Sequence, residues 1–531
     1  MHILHNARIH TQNARQPFAS AIAIQNGYIL ALGTDQEILA ASSRSSLKTN
    51  LNGRTVLPGL VDAHFHLERY ALNLSRVNCA APTRQECLER VANKAAELLP
   101  GEWVLGHGWN QNDWGGSYDS ASELDRVAPH NPVYLTAQSL HAGWANSLAL
   151  KQFGINAESP DPPGGIIQRN SNGQPTGILL EAACHLAEQN IPPPSLNTLS
   201  AAIERAQASL WKLGLTGIHD FDQTHCFNAL QKLSQDNRLK LRILKSIPVE
   251  LLAEAAALGL RTGFGSHWLR LGGIKLFVDG ALGPQTAAML DPYENSPDNS
   301  GMLLMDETKI LETGIQAAHS GLSLAVHAIG DRANRETLNA LEKLRRYETQ
   351  NDLPPLRHRI EHVQIIHPDD SPRLAALNLT GSVQPVHLIS DMETANQYWG
   401  SRCVGAYAYN TLNQHGVRMA FGSDAPVEPC NPFLGLQAAV TRRRLNGHPG
   451  PKGWFPEQRL SINTALQGFT TAAAFAAGWE NVTGQLAPGF YADLIVTKHD
   501  PYSITPEELG TISPDRTMVN GEWVWQAQGV E

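Results

Sequence analysis

The stretch TVLPGLVDAHFH, residues 55–66, reads as an apolar strand that ends in two histidines two positions apart. Side chains at positions i and i+2 leave the same face of a strand, so His64 and His66 can converge on one metal ion. Buried histidines at this spacing can also be ordinary core residues, and the pair by itself leaves both interpretations open. The segments that follow it favour the metal site.

Seven more strand-like segments follow the first, and polar or ionisable residues stand at their C-terminal ends. They are 215–221, 240–246, 269–280, 322–331, 357–365, 380–388 and 418–426. Amphipathic helical segments separate the later strands, for example at 334–346 and 431–443. Eight such strand and helix units predict an α/β protein with a (β/α)8 TIM-type barrel.

Four more potential metal ligands lie near the C-terminal ends of predicted strands four, five, six and eight. They are Lys275, His327, His362 and Asp424. This rim is where barrel active sites are built, and six such residues at one rim are hard to explain by packing. An unpaired lysine within LGGIKLFVDG would be costly to bury. Carbamylation by carbon dioxide would turn Lys275 into an anionic ligand able to bridge two divalent cations.

Both ends of the chain are rich in short strands with Asn-Gly turns, at Asn26-Gly27 and Asn520-Gly521. We expect residues 1–55 and 480–531 to form a composite β-sandwich domain beside the barrel, which would span 56–479. The first connection, 67–214, is too long for a plain loop. It contains a Thr83-x-x-Glu86 helix start and a predicted hairpin, and we expect an inserted subdomain over the active site.

The composition excludes several partner classes. The 531 residues contain 41 Lys and Arg against 50 Asp and Glu, a net charge of −9, without a basic cluster that would attract nucleic acid or an anionic membrane. No apolar run is long enough for a membrane span, and the first residues lack a signal-peptide core. Six scattered cysteines suit a reducing compartment. We expect a cytoplasmic protein, with a homodimer possible.

Eight ordered motifs identify a family resemblance over about residues 50–500. They are PGLVDAHFHL, HAGWANSLAL, GGIKLFVDGALGPQTAAML, VHAIGDRANRETL, RHRIEHVQ, SVQPVHLISD, GSDAPVEPCNPFLGLQAAVTR and GQLAPGFYADLIV. The chain resembles the YtcJ-like branch of the metal-dependent amidohydrolases and is similar to N-substituted formamide deformylases. The resemblance implies the barrel with its β-sandwich, and makes His64, His66, Lys275, His327, His362 and Asp424 the metal ligands. Pro284-Gln285 departs from the Ser-Arg of many members, which removes any anion-binding role of that arginine.

The implied chemistry is hydrolysis of an amide, N-formyl or cyclic amide bond of a small molecule. One ion would take His64, His66 and Asp424, and a second His327 and His362, with modified Lys275 and a hydroxide bridging the two. Zinc is the first choice, and Mn, Fe or Co suit the same ligands. Asp424 would accept the proton of the attacking water and return it to the leaving amine.

Other polar and aromatic residues carry weaker predictions. His387, near the end of predicted strand seven, is a candidate catalytic group that would polarise the substrate carbonyl. Within the insertion, a substrate-binding aromatic lid is predicted, although tryptophans are commonly core residues. Its members are Trp109, Trp114, His141 and Trp144. Glu361 alternates with His362 along its strand, which places it on the opposite face and predicts a structural role.

Two other functions remain open at this point. A mononuclear deaminase of the same superfamily would need a glutamate shortly after the strand-five histidine, where this chain reads HAIGD. A non-catalytic regulator on the same barrel would be expected to have lost ligands, whereas all six positions are filled. The metal content per chain separates the three: about two ions for the hydrolase, one for the deaminase and none for the regulator.

Overall fold

The computed structural model describes residues 1–115, 118, 120–137, 142–162, 165–294 and 296–529. The chain divides into two compact units. The first combines Met1–Glu68 with Ile203–Glu531, and the second is Arg69–Ala202. The expected domain boundaries, and the placement of the insertion over the active site, stay predictions.

The first unit contains an eight-stranded parallel sheet whose strand order follows the chain. Barrel strands one to eight are Leu60–Phe65, Leu215–Asp220, Arg242–Pro248, Leu269–Phe277, Leu324–Ala328, Arg359–His362, Thr380–Val383 and Arg418–Phe421. All eight overlap segments predicted from the sequence, although strand three extends past its predicted segment and strand seven covers only the first part of its own. Their side chains are buried almost throughout, as in a parallel sheet covered on both faces, which is why the segments read as continuous apolar runs.

The residues after barrel strand eight return to strand one. The Asp424 amide donates to the His64 carbonyl at 2.8 Å, and the His66 amide donates to the Ala425 carbonyl at 2.9 Å. Phe65 and Ala425 form a parallel bridge at the same place. These bonds bring the first and last strands together, and the TIM-type barrel is confirmed.

Helices cover the barrel, and the two predicted between later strands are confirmed. In chain order the helices of this unit are Asp35–Ala40, Thr224–Gln235, Leu252–Ala257, Glu307–His319, Asp331–Gln350, Ser371–Ala376, Pro385–Trp399, Tyr409–Gln414, Pro432–Thr441, Ile462–Gly468 and Thr471–Ala476. Leu67–Asn73 and Leu196–Lys212 cross from one unit to the other. Short 3-10 helices are Val249–Leu251, Gly400–Gly405, Pro456–Gln458 and Pro506–Thr511. Over the described ranges, no helix has the length and apolar character that a membrane span requires.

The chain ends form two further sheets, of which the six-stranded one combines strands from both ends and the four-stranded one contains strands of the N-terminal end. The six-stranded sheet runs Glu522–Gln526, Pro514–Val519, Leu494–Thr497, Thr55–Pro58, Arg8–His10 and Phe18–Ala19. The four-stranded sheet runs Tyr28–Gly33, Ala21–Gln25, His2–His5 and Leu47–Asn50. Leu4 and Ile22 from one sheet share a buried cluster with Val56 and Leu494 from the other. Classification of this arrangement as a β-sandwich domain stays a prediction.

Both predicted Asn-Gly turns are present. Asn26 and Gly27 have φ of 52° and 83°, and Asn520 and Gly521 have φ of 52° and 79°, the left-handed values of a two-residue hairpin turn. The two turns also touch, because a Cβ on Gly27 would lie 2.8 Å from the Asn520 side chain. Glycine is therefore required there by both its backbone angle and its neighbour.

The second unit contains a mixed six-stranded sheet of its own. Its strands, in spatial order, are Gly165–Arg169, Pro175–Glu181, Ala142–Ala145, Val133–Ala137, Val104–Trp109 and Val77–Asn78. Its helices are Arg84–Ala96, Ala121–Val127, Ser147–Gln152 and Cys184–Asn190, with a 3-10 helix at Gln111–Trp114. The predicted hairpin is the antiparallel pair formed by its first two strands. Thr83 caps the first helix as predicted, because its side chain accepts a hydrogen bond from the Glu86 amide. The Glu86 side chain accepts a hydrogen bond from Arg90.

Candidate metal centre

Five histidines and Asp424 converge at the C-terminal end of the barrel. The His64 ring centroid lies 4.7 Å from that of His362, which in turn lies 4.5 Å from that of His327. Asp424 Oδ1 is 3.6 Å from His64 Nε2 and 3.2 Å from His66 Nε2. Ligand atoms of His64, His362 and Asp424 all lie within 4.8 Å of one another. The predicted ligands from strands one, five, six and eight therefore share one site.

Four of these histidines have one ring nitrogen bonded to an oxygen acceptor. His64 Nδ1 donates to Glu361 Oε2 at 2.7 Å, and His66 Nδ1 to Asp222 Oδ1 at 3.1 Å. His362 Nδ1 lies 2.9 Å from Gln384 Oε1, and His327 Nε2 lies 3.0 Å from the Gly280 carbonyl. Because these oxygens accept hydrogen bonds, the other nitrogen of each neutral ring keeps a lone pair for a metal ion. This is the arrangement that orients histidine ligands in metal sites. His66 differs: burial opposes its charge, but Asp222 and Asp424 raise its pKa to about 9, so a metal ion there would displace a proton.

Glu361 corrects the prediction made from strand alternation. It is fully buried, its Oε2 accepts from His64, and Arg359 Nε donates to its Oε1 at 2.5 Å. Alternation ends at His362, whose φ of 76° turns the chain into the left-handed region. The His362 side chain therefore departs from the alternation of the strand and reaches the same site as the side chain of Glu361. Sequence reasoning missed that Glu361 and Asp222 bond the candidate ligands His64 and His66, because these partners lie far along the chain.

Backbone strain marks the site. His362, Val363 and Asp424 have φ of 76°, 44° and 61°, values that residues other than glycine seldom adopt. Asp62 braces the end of strand eight, where its carboxylate accepts bonds from the Ser423 hydroxyl and amide at 2.5 and 3.0 Å. Strained residues of this kind cluster at ligand-binding sites and persist only where their surroundings hold them.

The electrostatic environment keeps His64, His327 and Asp424 in the protonation states that can bind a metal ion. Burial and the Lys275 ammonium lower the pKa of His64 to about 4 and that of His327 to about 3. Burial opposes charge on Asp424, but His64 and the neighbouring histidines hold the pKa of that carboxyl well below its usual value. Neutral imidazoles and an ionised carboxylate are the protonation states that bind a divalent cation.

Lys275 lies on barrel strand four beneath this cluster and is 4% exposed. Its ammonium contacts the faces of Phe221 and Phe277, with Nζ 4.8 and 4.7 Å from the ring centroids. Within the described ranges it forms no ion pair, and burial lowers its pKa to about 8. The costly buried lysine expected from the sequence is therefore present.

His387 is at the site but not on a strand. Barrel strand seven ends at Val383, because Pro385 has no amide hydrogen with which to continue the sheet. Pro385 instead begins the helix Pro385–Trp399, and His387 lies in the first turn of that helix. Its Nε2 lies 3.5 Å from Asp424 Oδ2. Burial opposes its charge, but the Asp424 carboxylate raises the pKa of His387 to about 9. It can therefore hold a proton beside Asp424.

The three predicted lid tryptophans lie in the core of the second unit. Trp109 and Trp144 are 1% and 0% exposed, and Trp114 packs against the same cluster. Each indole N–H donates to a backbone carbonyl. Trp109 donates to Leu135, Trp114 to Ala81 and Trp144 to Ser120. This placement favours the packing role, and substrate contact stays a prediction. His141 lies outside the described residues.

A second acidic group lies behind His66, formed by Asp220, Asp222 and Cys226. Lys245 is buried among them, with Nζ 2.8 Å from Asp220 Oδ2 and bonded to the Asp222 carbonyl. The Lys245 ammonium already offsets part of the negative charge of these carboxylates, so we assign the group to positioning Asp222 and hence His66 rather than to a metal.

The donor set at the main site fits a divalent metal. Imidazole nitrogens and a carboxylate are the ligands preferred by Zn, Mn, Fe and Co. One nitrogen of each of four histidines is bonded to an oxygen acceptor as metal ligands require, and the pKa values of His64, His327 and Asp424 keep these three donors unprotonated.

The sequence profile of the amidohydrolase family matches residues 49–525. The chain belongs to the amidohydrolase family. This amidohydrolase is 34% identical to Protein LONG AFTER FAR-RED 3 of Arabidopsis thaliana, over 92% of this chain and 86% of that one. It is 30% identical to the putative amidohydrolase YtcJ of Bacillus subtilis, over 99% of both. It is 28% identical to the N-substituted formamide deformylase of Arthrobacter pascens, over 99% of this chain and 98% of that one. The resemblance predicted from the motifs is confirmed.

Among solved structures, the amidohydrolase is similar to an uncharacterized metal-dependent hydrolase from Pyrococcus furiosus. The TM-score is 0.80 at 28% identity, covering 94% of this chain and all of the other. The likeness covers nearly the whole chain, so it includes the barrel on which the histidine cluster is built.

Proposed function

We propose that this amidohydrolase hydrolyses a carbon–nitrogen bond of a small neutral molecule, an amide, N-formyl or cyclic amide, at a divalent-metal centre. The observation that carries the proposal is the histidine cluster around Asp424, in which each of four rings has one nitrogen bonded to an oxygen acceptor that would orient it as a metal ligand. Two relatives support the reaction class: one is named an amidohydrolase and another a formamide deformylase.

The residues that would hold metal are His64, His66, Lys275, His327, His362 and Asp424, with zinc the first choice. When bound, the divalent ions would lower the pKa of water and polarise a carbonyl oxygen. Asp424 would accept the proton of the attacking water and deliver it to the leaving nitrogen. His387 lies 3.5 Å from Asp424 and would donate a hydrogen bond to the substrate carbonyl oxygen as negative charge develops there.

We further propose that Lys275 carries a carbamate. A lowered pKa leaves part of its amine neutral at cytoplasmic pH, and a neutral amine adds to carbon dioxide, releasing one proton. The anionic product would bridge two ions, a role that arginine cannot take because its guanidinium stays positive. A bare ammonium in the electron density of metal-loaded protein, prepared at neutral pH with bicarbonate, would contradict this bridge.

Metal analysis together with a substrate screen tests the proposal. Purified protein loaded with Zn²⁺ or Mn²⁺ is expected to hold about two ions per chain and to hydrolyse members of an amide and lactam library, releasing an amine from an open-chain amide and opening the ring of a lactam. One ion with deamination of aminated heterocycles would favour a deaminase. Protein that binds no metal and hydrolyses nothing would favour a non-catalytic regulator.

Asp424→Asn is the most direct variant. The amide keeps the shape of the side chain but cannot accept the water proton, so kcat should fall by ~10²-fold or more on a confirmed substrate. The circular dichroism spectrum and the melting temperature should stay close to those of the parent. Turnover within about tenfold of the parent at equal metal loading would show that Asp424 is not the general base.

A further inference from the structure

A cavity lies at the N-terminal end of barrel strand eight, where the strand begins at Arg418. The chain reaches Asp424 only after the other end of this strand. The volume of the cavity is about 300 Å³, at the lower end of the range of about 300–1,000 Å³ for small-molecule pockets. Barrel active sites are built at the C-terminal face. A compact ligand in this cavity would therefore be separate from the metal centre.

The Arg418 side chain lies against an aromatic ring in this cavity. Its guanidinium carbon is 3.5 Å from the centroid of the Phe475 ring, in the helix Thr471–Ala476. A second guanidinium, that of Arg357, lies 4.0 Å from the same centroid. Arginine stacked on an aromatic face is held in plane while its N–H groups stay available to a ligand. Arg418 is also exposed, so a ligand can reach it from solvent.

The two arginines share one carboxylate, and Arg357 takes both of its oxygens. Arg357 donates to Glu480 at 2.8 and 2.5 Å and to the Phe475 carbonyl at 2.8 Å. Over the described ranges, the Arg418 side chain forms no hydrogen bond and no ion pair, and the charged groups that act on it are Arg357 and Glu480. The cavity therefore holds one positive charge that no carboxylate matches.

The rest of the cavity lining combines amide groups with apolar surface. Asn413 and Gln467 line it, and in the part of the chain that the structure describes neither side-chain amide is hydrogen-bonded. Val417, Met419 and Ala472 line the same cavity and are buried. A planar anionic group matches the guanidinium fork, and an apolar body matches the buried surface.

We propose that this cavity is a second binding site, which takes a small organic carboxylate with an apolar body and uses Arg418 as its anchor. The carboxylate would accept two parallel hydrogen bonds from the guanidinium, whose charge Glu480 leaves unmatched because it is bonded to Arg357. The apolar body would lie against the buried lining and leave water. The site does not depend on the proposed hydrolase function.

Calorimetric titration of the full chain with benzoate at constant ionic strength tests the site. Benzoate should bind saturably, with a Kd of about 1 mM or tighter. Benzyl alcohol keeps the ring without the charge, and inorganic phosphate keeps a charge without the ring. Each should bind at least about tenfold more weakly than benzoate. Absence of saturable benzoate binding, or phosphate binding as tight as that of benzoate, would overturn the proposal.

Arg418→Ala should weaken benzoate binding by about tenfold or more, because the charged hydrogen bonds are lost. Arg418→Lys keeps the charge but not the fork, so it should give an intermediate loss, which serves if the alanine variant does not fold. Arg15→Ala is the matched control, because it removes the same charge from an exposed arginine outside the cavity. It should bind benzoate as the parent does. Equal affinity in the Arg418→Ala variant and the parent would overturn the proposal.

A carboxylate can also bind a metal ion, so the two sites must be separated. His362→Ala removes a candidate metal ligand and leaves the cavity unchanged, and it should bind benzoate with the affinity of the parent. Benzoate binding that is lost in His362→Ala and kept in Arg418→Ala would place the ligand at the metal centre and overturn the second site. The opposite pattern supports it, whether or not the protein hydrolyses an amide.

Discussion

At the scale of single residues, the position of His64 depends on a buried carboxylate. Glu361 accepts from its Nδ1 and is itself held by Arg359, which also donates to the Ala63 carbonyl and the Ser382 hydroxyl, each at 2.6 Å. The pKa of Glu361 lies well below its usual value, because Arg359 and His64 outweigh the cost of burial. An ionised Glu361 fixes the tautomer of His64 that leaves Nε2 free.

Glu361→Gln should therefore weaken metal binding. A neutral amide is a poorer acceptor for Nδ1–H and leaves Arg359 without its charge partner, so metal affinity should fall by ~10–100-fold. Competition with a chromophoric chelator measures this loss. Glu348→Gln is the control, because Glu348 is a buried carboxylate bonded to the buried His358, 3.1 Å away and outside the site. Equal metal affinity in the Glu361 variant and the parent would remove Glu361 from the positioning role.

At the scale of elements, a buried ion pair ties barrel strand three to the terminal sheet. Arg242 donates to Asp493 at 2.5 and 2.9 Å, and Asp493 also accepts from the Asn520 amide in the hairpin turn at 2.8 Å. The guanidinium lies 3.9 Å from the Tyr491 ring centroid. One pair of side chains thus fixes a barrel strand, a sheet strand and a turn relative to one another.

Arg242→Ala should lower the free energy of unfolding by about 3 kcal/mol, because it leaves the Asp493 carboxylate buried without its partner. Urea unfolding measures the loss. Arg238→Ala removes an exposed pair with Glu204 and should cost less than about 1 kcal/mol. Similar losses for the two variants would mean that the buried pair does not hold these elements together.

The tryptophans of the second unit give a second prediction at this scale. Trp109→Ala removes a buried ring that packs on Trp114 and Trp144, and should cost about 3–5 kcal/mol of stability. KM for a confirmed substrate should change by less than about twofold. A raised KM without a loss of stability would instead support the substrate-binding lid predicted from the sequence.

At the scale of the whole molecule, metal binding and stability should be linked. The candidate ligands lie on or just after barrel strands one, four, five, six and eight, so the site exists only in the folded barrel. Metal that binds the folded state alone stabilises it in proportion to the logarithm of its concentration, by about 2.7 kcal/mol at a hundred times Kd. The expected homodimer stays a prediction that light scattering can test.

Removal of metal by a chelator should therefore lower the melting temperature, and Zn²⁺ or Mn²⁺ should restore it. His362→Ala should melt at the same temperature with and without added metal, because a ligand is lost. Calorimetry of the two proteins across a metal titration makes the comparison. A parent that melts at the same temperature at all metal concentrations would argue against a resident metal.

The sequence by itself determined the barrel and most of the candidate ligands. Apolar runs with a fixed period, Asn-Gly turns and helix signals are local, so they can be read from neighbouring residues. Parallel barrel strands share one orientation, so the polar residues at their C-terminal ends meet at one rim. This is why His64, His66, His327, His362 and Asp424 could be grouped before any geometry was known.

Tertiary structure decided which residues support those ligands. His64 and Glu361 are 297 positions apart, and His66 and Asp222 are 156 positions apart, so no local pattern pairs them. The left-handed backbone at His362 breaks the alternation that placed Glu361 on the wrong face, and the start of a helix, rather than a strand end, brings His387 to Asp424. Packing around the closed barrel imposes these contacts, because only the folded chain brings the strand ends within hydrogen-bond distance.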